Sequence, residues 1–243
     1  MSNKKKVIAW DFDDTLGKFK ALAYFLEQNS DNIFVDYFYD SLAMSEDGFG
    51  FVEGMRSLLS RLSSRGYFNV ITTWATRDYV DASLVLSGGR NIFDDVFDRE
   101  NCLPEVPFGK RYKHLLKKYD LTRKTAEKDL LIIGDDLKRD LPVDLEKVVF
   151  VHHPYSSKAH ADLLEGVIDL LDLSGHGNFF AGFNQLLSKC LLGNDGRKHY
   201  FTEEGVDLKL YVKRCMGKEI PVMSISMVPE YFRSSLEDIK RML

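Results

Sequence analysis

The sequence predicts an α/β protein with a parallel sheet and helices on both of its faces. Two short, continuous apolar runs, 7–10 and 130–133, have the character of buried parallel strands. Each run ends at acidic residues, Asp11 in the first case and Asp135 in the second. Between and after them, strand-like runs alternate with stretches of helical periodicity, and this alternation is typical of a Rossmann-like sheet.

The remaining elements of this core follow from periodicity and from turn residues. Apolar side chains recur at helical spacing in several stretches, and Gly66 and the pair Gly88-Gly89 mark two helix ends. Helices are predicted over 54–65, about 78–87, about 110–119, and from Ser156 or Ser157 to about Leu171; further strands are predicted over 68–72 and 148–151.

The character of the sequence changes at Ser174, so we predict a core over 1–173 and a small α+β extension over 174–243. Glycines 175 and 177 indicate a linker, and the apolar residues from Phe179 to Leu191 have helical spacing. Alternation over 206–212 and a second strand over 220–228 predict a hairpin, and Pro229 begins a last helix. The extension either packs onto the main sheet or forms a second lobe, and the sequence assigns it no role.

Composition excludes several classes of protein. The 243 residues include 33 Lys and Arg against 37 Asp and Glu, a net charge of −4, which argues against a protein that coats nucleic acid. Three cysteines without a C-x-x-C pair indicate neither a disulfide framework nor a zinc site. No apolar run is long enough to span a membrane. We therefore expect a soluble protein of a reducing compartment, the cytoplasm, with non-classical export left open.

Polar residues stand at the ends of the predicted strands, where ligands bind in parallel sheets. Clustered carboxylates repel one another unless a cation lies among them, and oxygen-only ligands beside a lysine favour Mg²⁺. A carboxylate of this kind can attack phosphorus and form an aspartyl phosphate. The candidate residues are Asp11, Asp13, Thr72, Thr73, Lys110, Asp135 and Asp136.

The run Asp11-Phe12-Asp13-Asp14-Thr15 resembles the D-x-D-x-T signature of haloacid dehalogenase (HAD) superfamily phosphatases, and the resemblance extends over about residues 7–172. It implies that Asp11 is the nucleophile and that Asp13 is the general acid and then the base. It further implies that Thr73 binds a phosphate oxygen and that Lys110 neutralises the nucleophile and the phosphate. The implied metal site consists of Asp11, Asp13 through its carbonyl, Asp135 and Asp136. Within it, Asp136 together with Asp140 orients the ligands.

Two further runs resemble the small C-terminal-domain-phosphatase branch of that superfamily. One is the T-x5-Y spacing from Thr73 to Tyr79, and the other is the R-E-x-C run from Arg99 to Cys102. Superfamily members that act on small metabolites usually carry a cap domain over the site. The gap between Thr15 and Thr73 and the gap between Thr73 and Lys110 are each too short for a large cap domain. An open site suits phosphate groups presented on macromolecules, so the expected substrate is a phosphorylated protein or peptide.

The acidic, aromatic segment 31–53 slightly favours phosphotyrosine over phosphoserine or phosphothreonine, because it could pack around an aromatic ring. Its aromatic residues equally suit an ordinary core. The rival functions are a phosphatase of nucleotide or nucleic-acid ends, a phospho-accepting signalling domain, and a binding or scaffolding protein that acts through 174–243. The overall acidity argues mildly against a nucleic-acid substrate.

Several other residues have competing interpretations. Arg111 and Lys113 compete with Lys110 for the catalytic role, and Lys110 is favoured by its position at the start of the predicted helix. The basic residues over 110–128 form either a solvated helix face or a positive field that steers phosphorylated partners. His152 and His153 would point to opposite faces of a strand, so we interpret both as structural.

Overall fold

The computed structural model describes residues 6–23, 48–104, 108–153, 160–173, 178–189, 191–192, 198–201, 207–215 and 217–226. The predicted α/β architecture is confirmed, with a nine-stranded mixed sheet and helices against it. The strands are β1 (Lys6–Trp10), β2 (Gly17–Lys18), β3 (Gly50–Phe51), β4 (Tyr67–Thr72), β5 (Asp95–Phe97), β6 (Leu130–Gly134), β7 (Val149–His152), β8 (Leu191–Leu192), β9 (Lys198–Phe201), β10 (Asp207–Cys215) and β11 (Lys218–Ser226).

The described helices alternate with the strands of the core. They are α1 (Met55–Ser64), α2 (Arg77–Leu86), α3 (Arg99–Cys102), α4 (Lys113–Lys118), α5 (Arg123–Asp129), α6 (His160–Leu173) and α7 (Phe179–Lys189). None of these helices is long and apolar enough to cross a bilayer.

The main sheet has the strand order β5-β4-β1-β6-β7-β11-β10-β9-β8. From β5 to β11 neighbouring strands are parallel, so the carboxyl ends of β1, β4 and β6 meet at one edge. From β11 to β8, each strand is antiparallel to the next. Strands β2 and β3 form a separate two-stranded sheet beside the core.

Strand β1 separates two hydrophobic clusters, because successive side chains of a strand point to opposite faces. Ile8 and Trp10 belong to the cluster that contains buried residues of α1, α2, α6 and α7. Val7 and Ala9 belong to the cluster that contains Leu115 of α4 and residues around it. With both faces covered, Val7 to Trp10 are fully buried, and this is the reason for their continuous apolar sequence.

One predicted element begins later than expected. The helix placed at 110–119 begins at Lys113, so Lys110 does not stand at a helix start. Residue 110 instead forms a parallel bridge with Pro142, and its backbone N–H donates to the Leu141 carbonyl at 2.9 Å. The backbone N–H of Tyr112 donates to the Asp144 carboxylate at 3.0 Å, which fixes the chain just before the helix. These partners lie some 30 residues away, so local periodicity could not indicate them.

The hairpin predicted for the C-terminal part is confirmed, since β10 and β11 pair antiparallel. Of the two arrangements left open, the described residues show packing onto the main sheet, because β11 pairs parallel with β7. The linker at 174–177, the helix after Pro229, the capping serines 156 and 157, and most of the segment 31–53 lie outside the described residues. The boundary between 173 and 174 stays a prediction.

Candidate active site

The loop after β1 places Asp11 and Asp13 at the carboxyl edge of the sheet. The Asp11 backbone N–H donates to the Ile133 carbonyl at 2.8 Å, which continues the β1–β6 pairing by one residue. Asp14 then adopts a left-handed conformation, with φ of 63°, which aspartate tolerates better than most residues. Its N–H donates to the Gly17 carbonyl at 2.9 Å and closes a tight turn. The turn leaves the carboxylates of Asp11 and Asp13 on the wall of a cleft.

Lys110 lies buried at the base of this cleft, and three oxygen atoms of the described residues contact it. Its Nζ is 2.5 Å from Oδ1 of Asp11, 2.7 Å from Oδ1 of Asp140 and 2.7 Å from the Thr72 carbonyl. The side chain is 1% exposed, so its charge is compensated almost entirely by these groups. Burial alone would lower the pKa of Lys110, but the carboxylates of Asp11 and Asp140 raise it well above its ordinary value. The ammonium therefore stays charged.

Three carboxylates of the described residues lie close enough to share one metal ion. Oxygens of Asp11, Asp135 and Asp140 are all within 4.8 Å of one another. Ligands of Mg²⁺ lie at about 2.0–2.1 Å from the ion, so two ligands on opposite sides are roughly 4 Å apart. A small inward movement of the three carboxylates would bring all of them to coordination distance from one ion. An all-oxygen set of this charge fits Mg²⁺.

This cluster differs from the predicted metal-site residues Asp11, Asp13, Asp135 and Asp136, because it contains Asp140 and neither Asp13 nor Asp136. The Asp136 carboxylate accepts the backbone N–H groups of Lys138 at 2.7 Å and Arg139 at 3.2 Å, so it caps its own turn. Asp140 stands in the cluster instead, and the Asp136 backbone N–H donates to its Oδ2 at 3.0 Å. The ligand set itself stays a prediction, with Asp140 added as a candidate.

Gly134 makes room for Asp140 at this point. A Cβ built on residue 134 would collide with the carboxyl group of Asp140. The glycine that ends β6 is therefore needed for the close approach of the Asp140 side chain to the sheet edge. Thr15 completes the surroundings of the cluster, since its hydroxyl donates to Oδ1 of Asp135 at 3.1 Å.

Burial, together with crowding, raises the pKa values of the clustered carboxylates. Burial raises the pKa of Asp11 to about 6, and Asp135 adds to the rise while Lys110 opposes it. Burial and the charge of Asp11 likewise raise the pKa of Asp140 to about 6. Burial and Asp140 raise the pKa of Asp135. A divalent cation would remove the repulsion among these groups.

These pKa values predict how the stability of the metal-free protein depends on pH. The folded pKa values of Asp11 and Asp140 lie above the value near 4 of an unfolded chain, so the folded state binds more protons. Stability is then greatest below about pH 4 and is lost as pH rises through about 6, and the loss between pH 5 and pH 7 is roughly 1–3 kcal/mol. Urea unfolding in EDTA at pH 5 and pH 7 measures this loss.

Two comparisons test the origin of that loss. Mg²⁺ should raise the free energy of unfolding more at pH 7 than at pH 5, whereas KCl of equal ionic strength should not. The variant Asp140→Asn should reduce the dependence on pH. A free energy of unfolding that rises equally between pH 5 and pH 7 in the wild type and in Asp140→Asn would contradict this account. It would show that ionisation of the clustered carboxylates does not destabilise the fold.

Asp13 and Thr73 lie on the same cleft but outside the cluster. The hydroxyl of Tyr79 donates to Oδ1 of Asp13 at 2.7 Å, and burial raises the pKa of Asp13 even though this hydrogen bond opposes the rise. The Thr73 hydroxyl accepts the Ala75 N–H at 3.1 Å. The sequence marks Tyr79 only through the T-x5-Y spacing, and its contact with Asp13 could not be predicted without the fold.

Position in the structure distinguishes Lys110 from the alternatives Arg111 and Lys113. Lys113 is exposed at the start of α4, and neither it nor Arg111 lines the cleft, whereas Lys110 does. The other basic residues of 113–128 are exposed on α4 and α5, as expected of a solvated helix face. Lys110 is thus the one residue of the predicted basic stretch 110–128 that reaches the carboxylates.

His152 links the loop after β6, which carries Asp135, to the C-terminal hairpin. Its Nε2 is 2.9 Å from the Asp135 carbonyl, and its Nδ1 is 3.0 Å from the hydroxyl of Ser224 on β11. Burial lowers the pKa of His152, so the ring is neutral near pH 7. A carbonyl only accepts, so Nε2 bears the proton, and Nδ1 accepts from Ser224. The structural interpretation of His152 agrees with this geometry, while the contact with Ser224 was not predicted.

We expect Ser224→Ala to weaken Mg²⁺ binding by up to about tenfold, because outer residues orient the ligand-bearing segment. Titration of Mg²⁺ by calorimetry measures the affinity. Ser188→Ala, at an exposed position of α7, is the matched control. Equal affinities in the Ser224 variant and the wild type would show that the hairpin does not position Asp135.

The cleft itself has a volume of about 600 Å³ and opens to solvent, since the exposed side chains of Arg99 and Arg139 line it. Its base contains Lys110 and the carboxylates, and Thr73 and Tyr79 lie on its wall. The arrangement combines a carboxylate beside a buried cation, a second protonatable carboxylate and room for a substrate. It can support a nucleophilic attack with acid–base assistance.

Comparison with known proteins gives distant structural similarities. No family model matches the sequence, and no curated protein matches it. The chain is similar to a predicted phosphoglycolate phosphatase from Haemophilus somnus 129PT, with 16% identity, 66% of this chain and 92% of that chain covered, and a TM-score of 0.39. It is also similar to the HAD-hydrolase YfnB from Bacillus subtilis bound to magnesium, with 16% identity, 62% and 87% covered, and a TM-score of 0.39.

A third similar structure is a haloacid dehalogenase-like family hydrolase from Xanthomonas campestris. Its identity is 15%, the alignment covers 63% of this chain and 85% of that chain, and the TM-score is 0.40. At this distance the chemistry has to be inferred from the side chains of the cleft.

Proposed function

We propose that this chain is a magnesium-dependent phosphatase of the HAD type, a phosphoric monoester hydrolase that uses Asp11 as its nucleophile. The observation that supports it most is the position of the Asp11 carboxylate. It contacts the buried Lys110 ammonium at 2.5 Å and lies within 4.8 Å of oxygens of Asp135 and Asp140. An attacking carboxylate, a fixed positive charge and a metal-binding set therefore meet at one point.

The residues have distinct roles in the proposed reaction. Asp11, Asp135 and Asp140 would hold Mg²⁺, which would supply positive charge that neutralises the phosphate. A carboxylate oxygen of Asp11 forms a bond to phosphorus, and the bond between phosphorus and the ester oxygen breaks. Asp13 donates its proton to the leaving oxygen, and its raised pKa favours the protonated form that this step needs.

Hydrolysis of the aspartyl phosphate then restores the enzyme. Asp13, now deprotonated, takes a proton from water as the water oxygen bonds to phosphorus, and the bond to Asp11 breaks. Thr73 binds a phosphate oxygen, and Lys110 offsets the negative charge that the nucleophile and the phosphate bring together. Tyr79 holds the Asp13 carboxyl group in place through its hydrogen bond of 2.7 Å.

We propose a phosphorylated protein or peptide as the substrate, because the cleft opens to the surface between exposed side chains. The aromatic residues 49 and 51 pack with Phe19, at ring distances of 5.7 Å and 5.3 Å. This packing favours the core interpretation for the described end of the segment 31–53. The choice between phosphotyrosine and phosphoserine therefore depends on measurement.

Phosphate release tests the proposed function. The substrates are an aryl phosphate, matched phosphotyrosine and phosphoserine peptides, and a 5′-phosphorylated oligonucleotide, each with Mg²⁺ or with EDTA. We expect turnover with Mg²⁺, its loss in EDTA and its recovery on adding Mg²⁺ back, with a peptide as the best substrate. Release that persists in EDTA, or no release on any substrate from protein shown to be folded, would contradict the proposal.

A further inference from the structure

Two arginines and a tryptophan form a rim on the cleft that the proposed chemistry does not use. Arg99, Arg139 and Trp74 all line the cleft, and both arginines are exposed. Trp74 follows Thr73, the residue assigned to a phosphate oxygen, so the rim lies directly beside the place where the phosphate would bind. We call these three residues the arginine rim.

The Arg99 side chain is anchored through its Nε atom, and the Arg99 backbone is anchored beside it. Its Nε donates to the Trp74 carbonyl at 2.7 Å, and its backbone N–H donates to the Ala75 carbonyl at 2.9 Å. Within the part of the chain that the structure describes, no carboxylate forms an ion pair with Arg99. A guanidinium has five N–H donors, so this anchored side chain has donors left for an external acceptor.

Arg139 approaches the same tryptophan from its ring face. The guanidinium carbon lies 5.9 Å from the ring centroid, within the range of a cation–π contact. Its ion pair with Asp136 is long, 3.6 Å, and the side chains of Arg139 and Asp136 are 64% and 41% exposed, so this pair is weak and readily exchanged. The charge of Arg139 is therefore available to a ligand.

The two guanidiniums do not neutralise the carboxylate cluster at the base of the cleft. Lys110 already contacts Asp11 and Asp140, and neither arginine is paired with a member of the cluster among the described residues. The rim thus presents two positive charges beside a site that is itself built for one phosphate. Guanidinium groups bind planar carboxylates and phosphates through paired hydrogen bonds.

We propose that the arginine rim binds a second anionic group on the substrate, a carboxylate or a phosphate close to the scissile phosphate. The inference rests on the proposed phosphatase function and narrows its substrate class to molecules with two anionic groups. In a phosphopeptide, the second group would be an acidic side chain next to the phosphorylated residue. In a small molecule, it would be a second phosphate.

Matched substrate pairs test the inference and separate these sources. The first pair is a phosphopeptide with Asp beside the phosphorylated residue and the same peptide with Asn there. The second pair is a sugar bisphosphate and the corresponding monophosphate. The measured quantity is the ratio of kcat/KM within each pair at fixed ionic strength. We expect a ratio of about 10 or more in at least one pair, expressed mainly in KM.

Variants of the rim should reduce this ratio. Arg139→Met and Arg99→Met are expected to bring it towards one, and Arg139→Lys should restore part of it, because lysine keeps the charge and loses the paired geometry. Arg214→Met removes the same charge from an exposed position of β10 and should leave the ratio unchanged. Circular dichroism shows whether each variant is folded.

The outcomes for the inference and for the proposed function are distinguishable. Turnover with a ratio near one in both pairs, or a ratio that both rim variants leave unchanged, overturns the inference and leaves the phosphatase intact. Absence of turnover on every substrate overturns both. A high ratio that falls in the rim variants but not in Arg214→Met supports the rim.

Discussion

Replacing Asp11 by Asn is expected to abolish turnover while leaving the protein folded and no less stable. Asparagine keeps the shape of the side chain and an oxygen that Lys110 can contact, but its amide is not a nucleophile. Removal of a nucleophile costs at least about 10³-fold in kcat. Burial raises the pKa of Asp11 to about 6, so the ionised carboxylate lowers the stability of the metal-free protein at pH 8. Phosphate release and urea unfolding in EDTA measure the two effects.

Asp14→Asn is the matched control for this variant. Asp14 makes an ion pair with Lys20 and has a φ of 63°, which asparagine also tolerates, so the turn should persist. Its turnover should remain within a fewfold of the wild type. An Asp11→Asn protein with more than a tenth of the wild-type kcat would show that another group attacks phosphorus.

Replacing Lys110 by Met is expected to destabilise the fold as well as abolish turnover. The change leaves Asp11 and Asp140 buried side by side without their cation, and breaking a buried pair in this way costs about 3–5 kcal/mol. Both carboxyl groups can relieve the repulsion by taking up protons. The loss should therefore be large at pH 8 and smaller at pH 5.

The sign of this dependence follows from the direction of the shifts. Without Lys110 the folded pKa values of Asp11 and Asp140 rise further above those of the unfolded chain. Their contribution to stability is present at low pH and is lost as pH rises through the folded values. Urea unfolding in EDTA at the two pH values gives the difference. Lys113→Met, the same change at an exposed position of α4, should alter neither stability nor kcat appreciably. Equal losses in the two variants, or a larger loss at pH 5, would argue against the buried ion pair.

The parts of the molecule that depend on local pattern could be predicted from the sequence. The buried run of β1 and the Gly-Asp-Asp end of β6 indicate parallel strands, and parallel neighbours necessarily bring Asp11 and Asp135 to one edge. The hairpin of β10 and β11 follows from alternation in the same way. The helix α5 was not predicted, because its short sequence is polar apart from Ala126 and shows no apolar stripe.

The parts that depend on contacts distant in sequence could not be predicted. Lys110 reaches Asp11 because residue 110 pairs with the chain at 141–143, not because a helix begins there. Asp140 enters the cluster because a turn after β6 folds back over Gly134. The contact of His152 with Ser224 requires β11 to lie beside β7, and nothing in the sequence indicates that neighbour.

The central claim is that Asp11 becomes phosphorylated during turnover, and trapping the covalent intermediate tests it most directly. Asp13→Asn removes the base that activates water, so the second step should slow by about 10²–10⁴-fold while an aryl phosphate still phosphorylates the enzyme. After rapid acid quenching and proteolysis, peptide mass spectrometry should find one phosphoryl group, on Asp11, in this variant. Turnover of the wild type with no modified Asp11 in the variant, or a phosphoryl group on another residue, would contradict the account.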